Sequence, residues 1–283
     1  MVADNPGWLE HCRTVIGAEL PHMPSRRERG LARGQMLVFG RFIEVEGADR
    51  LASLPDPVLF ALNHNNTLES VLVPTALIFL RGGRHISFLV DWMYLRNPLL
   101  GWLLRRIDPV PVYTKRALWG LWEEYRRAHL GESPLDGCLE RLAAGRSVGI
   151  FPEGTRNPSA TRLRRGRPGL GRLVLESTAP VVPVGIDFPA KERLGRVPAI
   201  GRMRLRIGAP MRFEPERGAY REVTVVRPAS RERSGRELGA AVVDQVMHRL
   251  ATLSGKSYPF GRPAAVTDTV SKTPFKQGGS HAA

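Results

Sequence analysis

VLFALNHNNTLESVLVPTALIFL, residues 58–80, is the stretch from which the fold can be predicted, because its pattern changes twice within a few positions. It opens with a short apolar run that ends at Asn63 and His64, which is typical of a buried strand with polar residues at its end. From Thr67 onward it turns apolar again over a longer distance, which indicates a helix that begins at a capping residue, although Pro74 interrupts it. The stretch therefore predicts a strand, a polar turn and a helix in succession.

The same alternation continues along the chain. Strands are predicted at residues 36–46, 58–63, 86–90, 110–113, 147–152, 180–186 and 202–207. Helices are predicted at residues 67–80, 92–106, 117–144, 169–178 and 236–253. Strands that alternate with helices favour an α/β fold with a mixed, largely parallel sheet flanked by helices.

The composition divides the chain into three regions. Residues 1–35 are predicted as a helical N-terminal segment with a basic cluster of four arginines. Residues 36–254 carry the alternating pattern and are predicted as one α/β domain. From Gly255 onward glycine, proline, serine, threonine and lysine dominate, so residues 255–283 are predicted as a disordered tail.

The charge balance is strongly basic. The chain has 42 Lys and Arg against 27 Asp and Glu, a formal net charge of +15. Such a surface attracts nucleic acid, an anionic membrane face, phosphorylated substrates or an acidic carrier protein, and a merely solvated arginine-rich surface is the alternative. We expect no nucleic-acid partner, because the sequence contains no recognised binding module and no platform of interleaved aromatic and basic residues.

Membrane spanning and secretion are not expected. The longest apolar run, Val71–Leu80, is about half the ~20 residues that a spanning helix needs. The two cysteines, Cys12 and Cys138, suggest neither a disulfide framework nor a zinc site, and the N-terminus lacks a signal-peptide pattern. We therefore expect a cytoplasmic protein that lies peripherally on the cytoplasmic face of a membrane.

Polar clusters follow three of the predicted strands. They are Asn63-His64, residues 113–116 and residues 152–156. Because the carboxyl ends of parallel strands meet at one edge of a sheet, these clusters are expected to converge on a site there.

The first cluster holds a candidate catalytic pair. His64 precedes Glu69 by five positions, so a turn from strand to helix can bring the carboxylate back to the imidazole. A carboxylate on one ring nitrogen fixes the tautomer, stabilises the imidazolium and leaves the other nitrogen free to take a proton. The alternative is an ordinary loop histidine beside a glutamate at a helix start.

FPEGTR, residues 151–156, holds a candidate anion site. Gly154 allows the backbone to approach a ligand closely, and Arg156 offers a planar fork that suits phosphate. The alternative is a surface turn with a salt bridge.

Together these clusters resemble the blocks of a known family, the glycerol-phosphate and lysophosphatidate acyltransferases. NHNNTLE resembles the family's N-H-x4-D block, and FPEGTRN resembles its F-P-E-G-T-R-S block. Residues 96–116 resemble a segment with P-L-x-G, a short strand and a terminal arginine, here Arg116. APVVPVGI, residues 179–186, resembles a fourth block centred on a proline, here Pro183. The blocks occur in the family's order, and the resemblance covers residues 36–215.

The resemblance implies the family's fold for residues 36–254 and direct acyl transfer from acyl-CoA or acyl-carrier protein to a glycerol-type hydroxyl, with 1-acyl-sn-glycerol 3-phosphate as the expected acceptor. His64 would be the base and Glu69 its partner, without cofactor or metal. The implied substrate-binding residues are Arg116, Glu153, Gly154, Thr155, Arg156 and Pro183.

This sequence departs from the family's pattern at two places. Glu69 stands where the family has aspartate, which moves the carboxylate by up to about a bond length. Asp108 and Pro109 stand where a glycine usually precedes the strand. The competing functions are a non-catalytic lipid-binding homologue with a decayed dyad, and a lipid or thioester hydrolase that uses the same histidine with water.

Membrane contact is expected at two kinds of surface. Arg162, Arg164, Arg165 and Arg167 would form a basic rim directly after the phosphate block that meets lipid headgroups or an acidic carrier protein, with a solvated loop as the alternative. The Val71–Leu80 run and residues 92–104 suit a membrane interface, and core packing is the alternative.

Overall fold

The computed structural model describes residues 8–116, 120–226 and 231–261. The strands in these ranges are β1 (Ile43–Glu46), β2 (Leu59–Leu62), β3 (Ile86–Asp91), β4 (Val110–Val112), β5 (Ser147–Ile150), β6 (Val181–Asp187) and β7 (Met203–Ile207). The α-helices are α1 (Trp8–Gly17), α2 (Arg26–Phe39), α3 (Ala48–Ala52), α4 (Glu69–Leu80), α5 (Trp92–Arg96), α6 (Pro98–Leu104), α7 (Gly120–Ala128), α8 (Pro134–Ala143), α9 (Pro168–Glu176), α10 (Lys191–Leu194), α11 (Glu214–Val226) and α12 (Arg231–Ser254).

All seven strands form one sheet in the order β1-β7-β6-β2-β5-β3-β4. The five strands from β6 to β4 in that order are mutually parallel, and β7 pairs antiparallel with β6. β1 pairs parallel with β7 at the other edge. The prediction of a mixed, largely parallel sheet flanked by helices is therefore confirmed.

The sheet is buried on both faces, as its central strand β2 shows. Phe60 and Leu62 point into an apolar cluster with α1, α2 and α4, whereas Leu59 and Ala61 point into a second cluster with α8, α9 and α12. Alternate residues of a strand face opposite sides of its sheet, so a continuous apolar run is what such a strand requires.

The helix α4 is part of the core rather than of a membrane interface. Val73, Ala76 and Leu77 are fully buried, and Leu72 and Ile78 nearly so. The expectation that this run meets a membrane is wrong, because the helix covers one face of the sheet. Over the described residues, no helix combines the length and the apolar character needed to cross a bilayer.

The prediction for residues 36–46 is wrong in its first half. Helix α2 continues to Phe39 and buries Met36, so that only Ile43–Glu46 is strand. The predicted boundary after residue 35 therefore falls inside a helix. Leu20 and Met23 also join the core, so the described part of the N-terminal segment packs with the α/β domain.

The predicted tail is wrong for residues 255–261. Gly255 adopts φ +62°, and the amide of Lys256 donates to the carbonyl of Ala251, which ends α12 in the manner of a Schellman turn. Lys256 and Tyr258 are buried, and Ser257 exchanges backbone hydrogen bonds with residues 161 and 163. The rest of the predicted tail, residues 262–283, lies outside the described residues.

Candidate active site

The site lies where β2 and β5 end side by side. The two strands pair in parallel, with Ala61 opposite Ile150. Their carboxyl ends therefore lead into two adjacent turns, residues 63–68 and residues 151–157. The backbone amide of Asn157 donates to the carbonyl of His64 at 2.8 Å, which holds the two turns together.

His64 and Glu69 form the predicted pair. His64 Nδ1 lies 3.0 Å from Glu69 Oε1, and the Glu69 side chain is fully buried while that of His64 is 15% exposed. An ionised carboxylate can only accept, so Nδ1 carries the proton and Nε2 presents its lone pair. Phe151 stacks on the imidazole with ring centroids 4.3 Å apart and restricts its orientation. The pair has the geometry of a histidine base with its supporting carboxylate.

Two asparagines hold Glu69, one at its carboxylate and one at its backbone. The backbone amide of Asn65 makes a short hydrogen bond to Oε1, and the Asn65 side-chain amide donates to Oε2 at 2.9 Å. Asn66 Oδ1 accepts from the backbone amide of Glu69 at 3.0 Å and thereby holds the first residue of α4. The sequence N-N between His64 and Thr67 therefore both starts the helix and positions its first carboxylate.

Asn63 ties the end of β2 to the next strand. Its side-chain oxygen accepts from the backbone amide of Ile186 at 2.6 Å, and its side-chain nitrogen donates to the carbonyl of Ile186 at 2.9 Å. Asn63 is fully buried. Because β2 pairs with β6 only as far as Leu62, this amide continues the ladder by one residue and fixes the direction in which His64 leaves the strand.

Glu153 connects the two turns. Its Oε1 accepts from the backbone amide of His64 at 3.0 Å, and its Oε2 accepts from Asn157 Nδ2 and from the backbone amide of Arg164, both at 2.8 Å. The residue is 1% exposed. The Glu153 carboxylate is thus buried and bonded to loop groups, so it positions the loop, and its place among the substrate-binding residues stays a prediction.

The rest of the FPEGTR turn is open to solvent. Gly154 has φ +66°, a backbone conformation that favours glycine, and its amide closes the turn on the carbonyl of Phe151. Thr155 and Arg156 are exposed. Arg156 Nη1 donates to Thr67 Oγ1 at 2.5 Å, so its guanidinium lies across the mouth of the turn that carries His64.

Two of the predicted substrate-binding residues lie elsewhere. Pro183 is buried in the middle of β6 opposite Ala61, and its carbonyl accepts from the amide of Gly208, so its role in substrate binding stays a prediction. Arg116 is exposed beyond β4, two strands from β5 in the sheet. Among the described residues no hydrogen bond or ion pair joins Arg116 to the His64 site, and its role stays a prediction.

Asp108 occupies the place where the resemblance leads one to expect glycine. Its φ of +47° is in the left-handed region, and its carboxylate is bound by Arg141 at 2.9 Å and by Arg146 in a short contact. The left-handed turn that glycine would make is therefore kept by an aspartate that two arginines hold.

A buried lysine completes the inner side of the site and was missed by the sequence analysis. Lys256 Nζ donates to Asn65 Oδ1 at 2.5 Å. Burial lowers its pKa to about 8, an effect that the charge of Glu153 partly offsets. No motif marks this residue, which lies 187 positions beyond Glu69 in a stretch of glycine, serine and lysine.

An arginine-lined cleft of about 960 Å³ lies beside the FPEGTR turn, between the following loop, α9, α11 and α12. Arg162, Arg164, Arg165 and Arg167 line it and are exposed, and among the described residues no carboxylate pairs with their side chains. Arg162 lies over the ring of Phe260 at 5.5 Å. The cleft is thus an electropositive surface next to the site.

Metal ligands are not gathered at the site. Across the described ranges no group of three or more His, Cys, Asp or Glu residues has an arrangement that could hold a metal ion.

Comparison with known proteins agrees with the resemblance seen in the sequence. The acyltransferase family matches residues 42–187, just over half of the 283 residues. The chloroplast 1-acyl-sn-glycerol-3-phosphate acyltransferase LPAT1 of Arabidopsis thaliana is 26% identical over 142 residues, which cover 50% of this chain and 35% of the plant protein. The chain thus spans about a third of the length of this curated relative. A crystal structure of the 1-acyl-sn-glycerophosphate acyltransferase PlsC from Thermotoga maritima aligns over 80% of this chain and 84% of its own, with 18% identity and a TM-score of 0.45.

Glu153→Gln should lower the free energy of unfolding by roughly 1–3 kcal/mol. A glutamine has one acceptor oxygen and one NH2 group, so at least one of the amide donors that now point at Glu153 would face another donor in a buried place. Urea unfolding followed by circular dichroism measures the difference. Glu140→Gln, on the exposed side of α8, is the matched control. Equal unfolding free energies for the two variants would contradict the bridging role of Glu153.

Proposed function

Since this chain belongs to the acyltransferase family, we propose that it transfers a fatty acyl group from acyl-CoA or acyl-carrier protein to the free hydroxyl of 1-acyl-sn-glycerol 3-phosphate, a step of phospholipid biosynthesis. The observation that carries the proposal is the His64–Glu69 pair. A base of this kind activates a hydroxyl without a protein nucleophile or a cofactor.

In the proposed reaction His64 Nε2 takes the proton of the acceptor hydroxyl as its oxygen attacks the carbonyl carbon of the thioester. Glu69 then faces an imidazolium and stabilises it by charge. The tetrahedral intermediate collapses when the carbon–sulfur bond breaks, and His64 returns its proton to the departing thiolate. The products are the acyl ester and the free thiol, so the base is regenerated.

Arg156 is the proposed ligand of the acceptor's phosphate. Its guanidinium is exposed and lies beside Thr67, on the turn that carries His64. Thr155 and the exposed backbone of Gly154 adjoin it and offer neutral hydrogen-bonding groups. A phosphate held there would present a nearby hydroxyl to the imidazole, since binding a remote group orients the reacting one.

A peripheral position on the cytoplasmic face of an anionic membrane is also proposed. The net charge of +15 and the exposed arginines after the FPEGTR turn support attraction to anionic lipid. Helices α5 and α6 expose Met93, Tyr94 and Trp102, the last at 48%, and Arg106 lies 3.5 Å from the Trp102 ring centroid. Aromatic and basic side chains in such proximity suit the interface of a bilayer.

The intact pair also bears on the competing functions. A decayed dyad in a lipid-binding homologue would have no need to keep a buried carboxylate 3.0 Å from the imidazole and hydrogen-bonded by Asn65. A hydrolase would share the pair but would pass the acyl group to water. An assay that crosses acceptors with both donor types, and separates acylated acceptor from free fatty acid, tells transfer from hydrolysis.

His64→Ala should lower acyl transfer by about 10² to 10⁴ in rate, because it removes the general base. Glu69→Asp should keep substantial activity and Glu69→Gln little, since glutamine cannot stabilise an imidazolium by charge. Initial rates with purified protein measure all three, and His22→Ala, at an exposed histidine, is the control. More than half of the wild-type rate in His64→Ala, or equal rates for Glu and Gln at position 69, would contradict the assignment.

Arg156→Ala should weaken use of the phosphorylated acceptor. Lost charge-assisted hydrogen bonds are worth roughly 1.5–3 kcal/mol, which is about 10- to 150-fold in acceptor kcat/KM. The KM for the acyl donor should change little. Arg127→Ala removes an exposed arginine of α7 and is the control. Unchanged acceptor kinetics in a folded Arg156→Ala protein would remove this residue from the phosphate site.

The protein should bind anionic vesicles at low salt and be partly released by high salt. Basic residues near an anionic leaflet are worth about 1 kcal/mol each, and salt screens the attraction over a Debye length. Neutralising the four exposed arginines should weaken binding to anionic vesicles more than binding to neutral ones; they are Arg162, Arg164, Arg165 and Arg167. Co-sedimentation with both kinds of vesicle measures the effect.

The control for the vesicle experiment neutralises four exposed arginines chosen from outside this loop, Arg127, Arg193, Arg212 and Arg249, and so removes the same charge. We expect this variant to bind more tightly than the loop variant. Equal loss in both variants would show that net charge matters and the loop does not. Wild-type protein that ignores anionic vesicles at low salt would exclude the membrane role.

A further inference from the structure

Lys256 enters the site from a part of the chain that the acyltransferase family match does not reach. The match ends at residue 187, and Lys256 follows α12 after the turn at Gly255. That turn reverses the chain, so the lysine side chain points into the protein and the residue is only 7% exposed. It thereby reaches the inner side of the turn that carries His64.

The contacts of Lys256 lead to the catalytic pair through one side chain. Its ammonium donates to Asn65 Oδ1 at 2.5 Å, Asn65 Nδ2 donates to Glu69 Oε2 at 2.9 Å, and Glu69 Oε1 lies 3.0 Å from His64 Nδ1. These side-chain hydrogen bonds join buried or half-buried groups, and the backbone amide of Asn65 adds a second bond to Glu69.

The Asn65 amide can face either way, and its neighbours determine which way it faces. An ammonium offers only donors and an ionised carboxylate only acceptors. Lys256 and, at 3.3 Å, Asn63 donate to the amide oxygen, whereas Glu69 and, at 3.3 Å, the carbonyl of Ile186 accept from the amide nitrogen, and the two shortest of these bonds are those to Lys256 and Glu69. Without the lysine, Oδ1 would keep only the long 3.3 Å bond from Asn63 Nδ2.

We propose that Lys256 is a positioning residue of the acyl-transfer site: it orients the Asn65 amide so that Asn65 holds Glu69 against His64, and it supplies positive charge behind two buried carboxylates. The inference rests on the proposed function for its kinetic consequence, and on the contacts above for its geometry. In the described part of the chain no hydrogen bond or ion pair joins Lys256 to His64, so it acts through Asn65.

The charges around Lys256 explain what the ammonium does there. Glu69 on α4, Glu153 on the turn after β5 and Asp187 at the end of β6 attract it, whereas Lys191 on α10 repels it. Asp187 is itself paired with Lys191 at 2.7 Å. Glu69 and Glu153 form no ion pair with any Lys or Arg side chain in the described residues, so Lys256 is the cation that faces both.

The pH dependence follows from the burial of this lysine. Burial lowers the pKa of Lys256 from 10.5 to about 8, so the side chain is an ammonium below that pH and a neutral amine above it. If the charge holds Glu69 in place, acyl transfer should fall as the pH rises through about 8. An ordinary exposed lysine would keep its charge over this range.

The test compares Lys256→Met and Lys256→Arg with wild type. Lys256→Met removes the donor and the charge at similar length, and kcat at pH 7 should fall by up to about 100-fold, with little change in either KM, because the base is misplaced rather than the substrates. Lys256→Arg stays charged at every pH used, so it should keep more activity and lose the fall near pH 8. Rates are measured from pH 6 to 9.5, with thermal unfolding to confirm folded protein.

Lys191→Met is the matched control. It removes a second buried lysine from the same corner, whose ammonium donates to the carbonyls of Ser254 and Gly255 and does not contact Asn65. Its kcat at pH 7 should stay close to wild type. Because the charge of Lys191 lowers the pKa of Lys256, its loss should move the alkaline fall to higher pH.

A second measurement does not depend on activity. The nitrogen-15 spectrum of His64 should show one tautomer, protonated at Nδ1, in wild type and a mixture in Lys256→Met. An active wild type with an unchanged kcat, pH profile and tautomer in Lys256→Met would overturn the positioning role. A wild type that transfers no acyl group, while Lys256→Met still changes the tautomer, would refute the proposed function and keep the lysine's role.

Discussion

The buried carboxylate of Glu153 is the contact on which the site depends. It accepts hydrogen bonds from the turn after β2, through the amide of His64, and from its own loop, through Asn157 and Arg164. A buried carboxylate is costly unless its oxygens are satisfied, so these groups can hardly move independently. The backbone of His64 is therefore fixed by the same side chain that shapes the FPEGTR turn, so the two motifs form one structural unit.

The convergence of the two motifs could be predicted from the sequence because it follows from strand patterns. Buried apolar runs that end in polar residues indicate parallel strands, and parallel strands bring such ends to one edge. The apolar pattern could not show whether a residue lies at the end of its strand or in the middle. Pro183 looked equivalent to the other motif residues, yet it lies mid-strand, because its block matches the strand itself rather than the turn that follows. Likewise the apolar run of α4 fits a membrane interface and a buried helix equally well.

At Lys256 the prediction failed for another reason, because the composition around it wrongly indicated a disordered tail. Glycine, serine and lysine at residues 254–257 suggest disorder, but here Gly255 makes the left-handed turn that ends α12 and Ser257 pairs with residue 161. Lysine is rarely buried, and no residue near position 256 in the sequence indicates that this one is. What places it is the long-range packing of α12 on β6 and α9, and such tertiary contacts leave no local signature.

The replacement of aspartate by Glu69 becomes intelligible from these contacts. The longer side chain lets a single carboxylate reach back from the first residue of α4 to the imidazole while both its oxygens meet the Asn65 amides. A free glutamate would lose precision through its extra rotatable bond. Here Asn65 holds its carboxylate, Asn66 accepts from its backbone amide, and Lys256 donates to Asn65 in turn. Asn65 and Asn66 thus hold the longer side chain that stands where the resemblance leads one to expect aspartate. The geometry of the His64–Glu69 pair is set by residues that take no part in the proposed proton transfer.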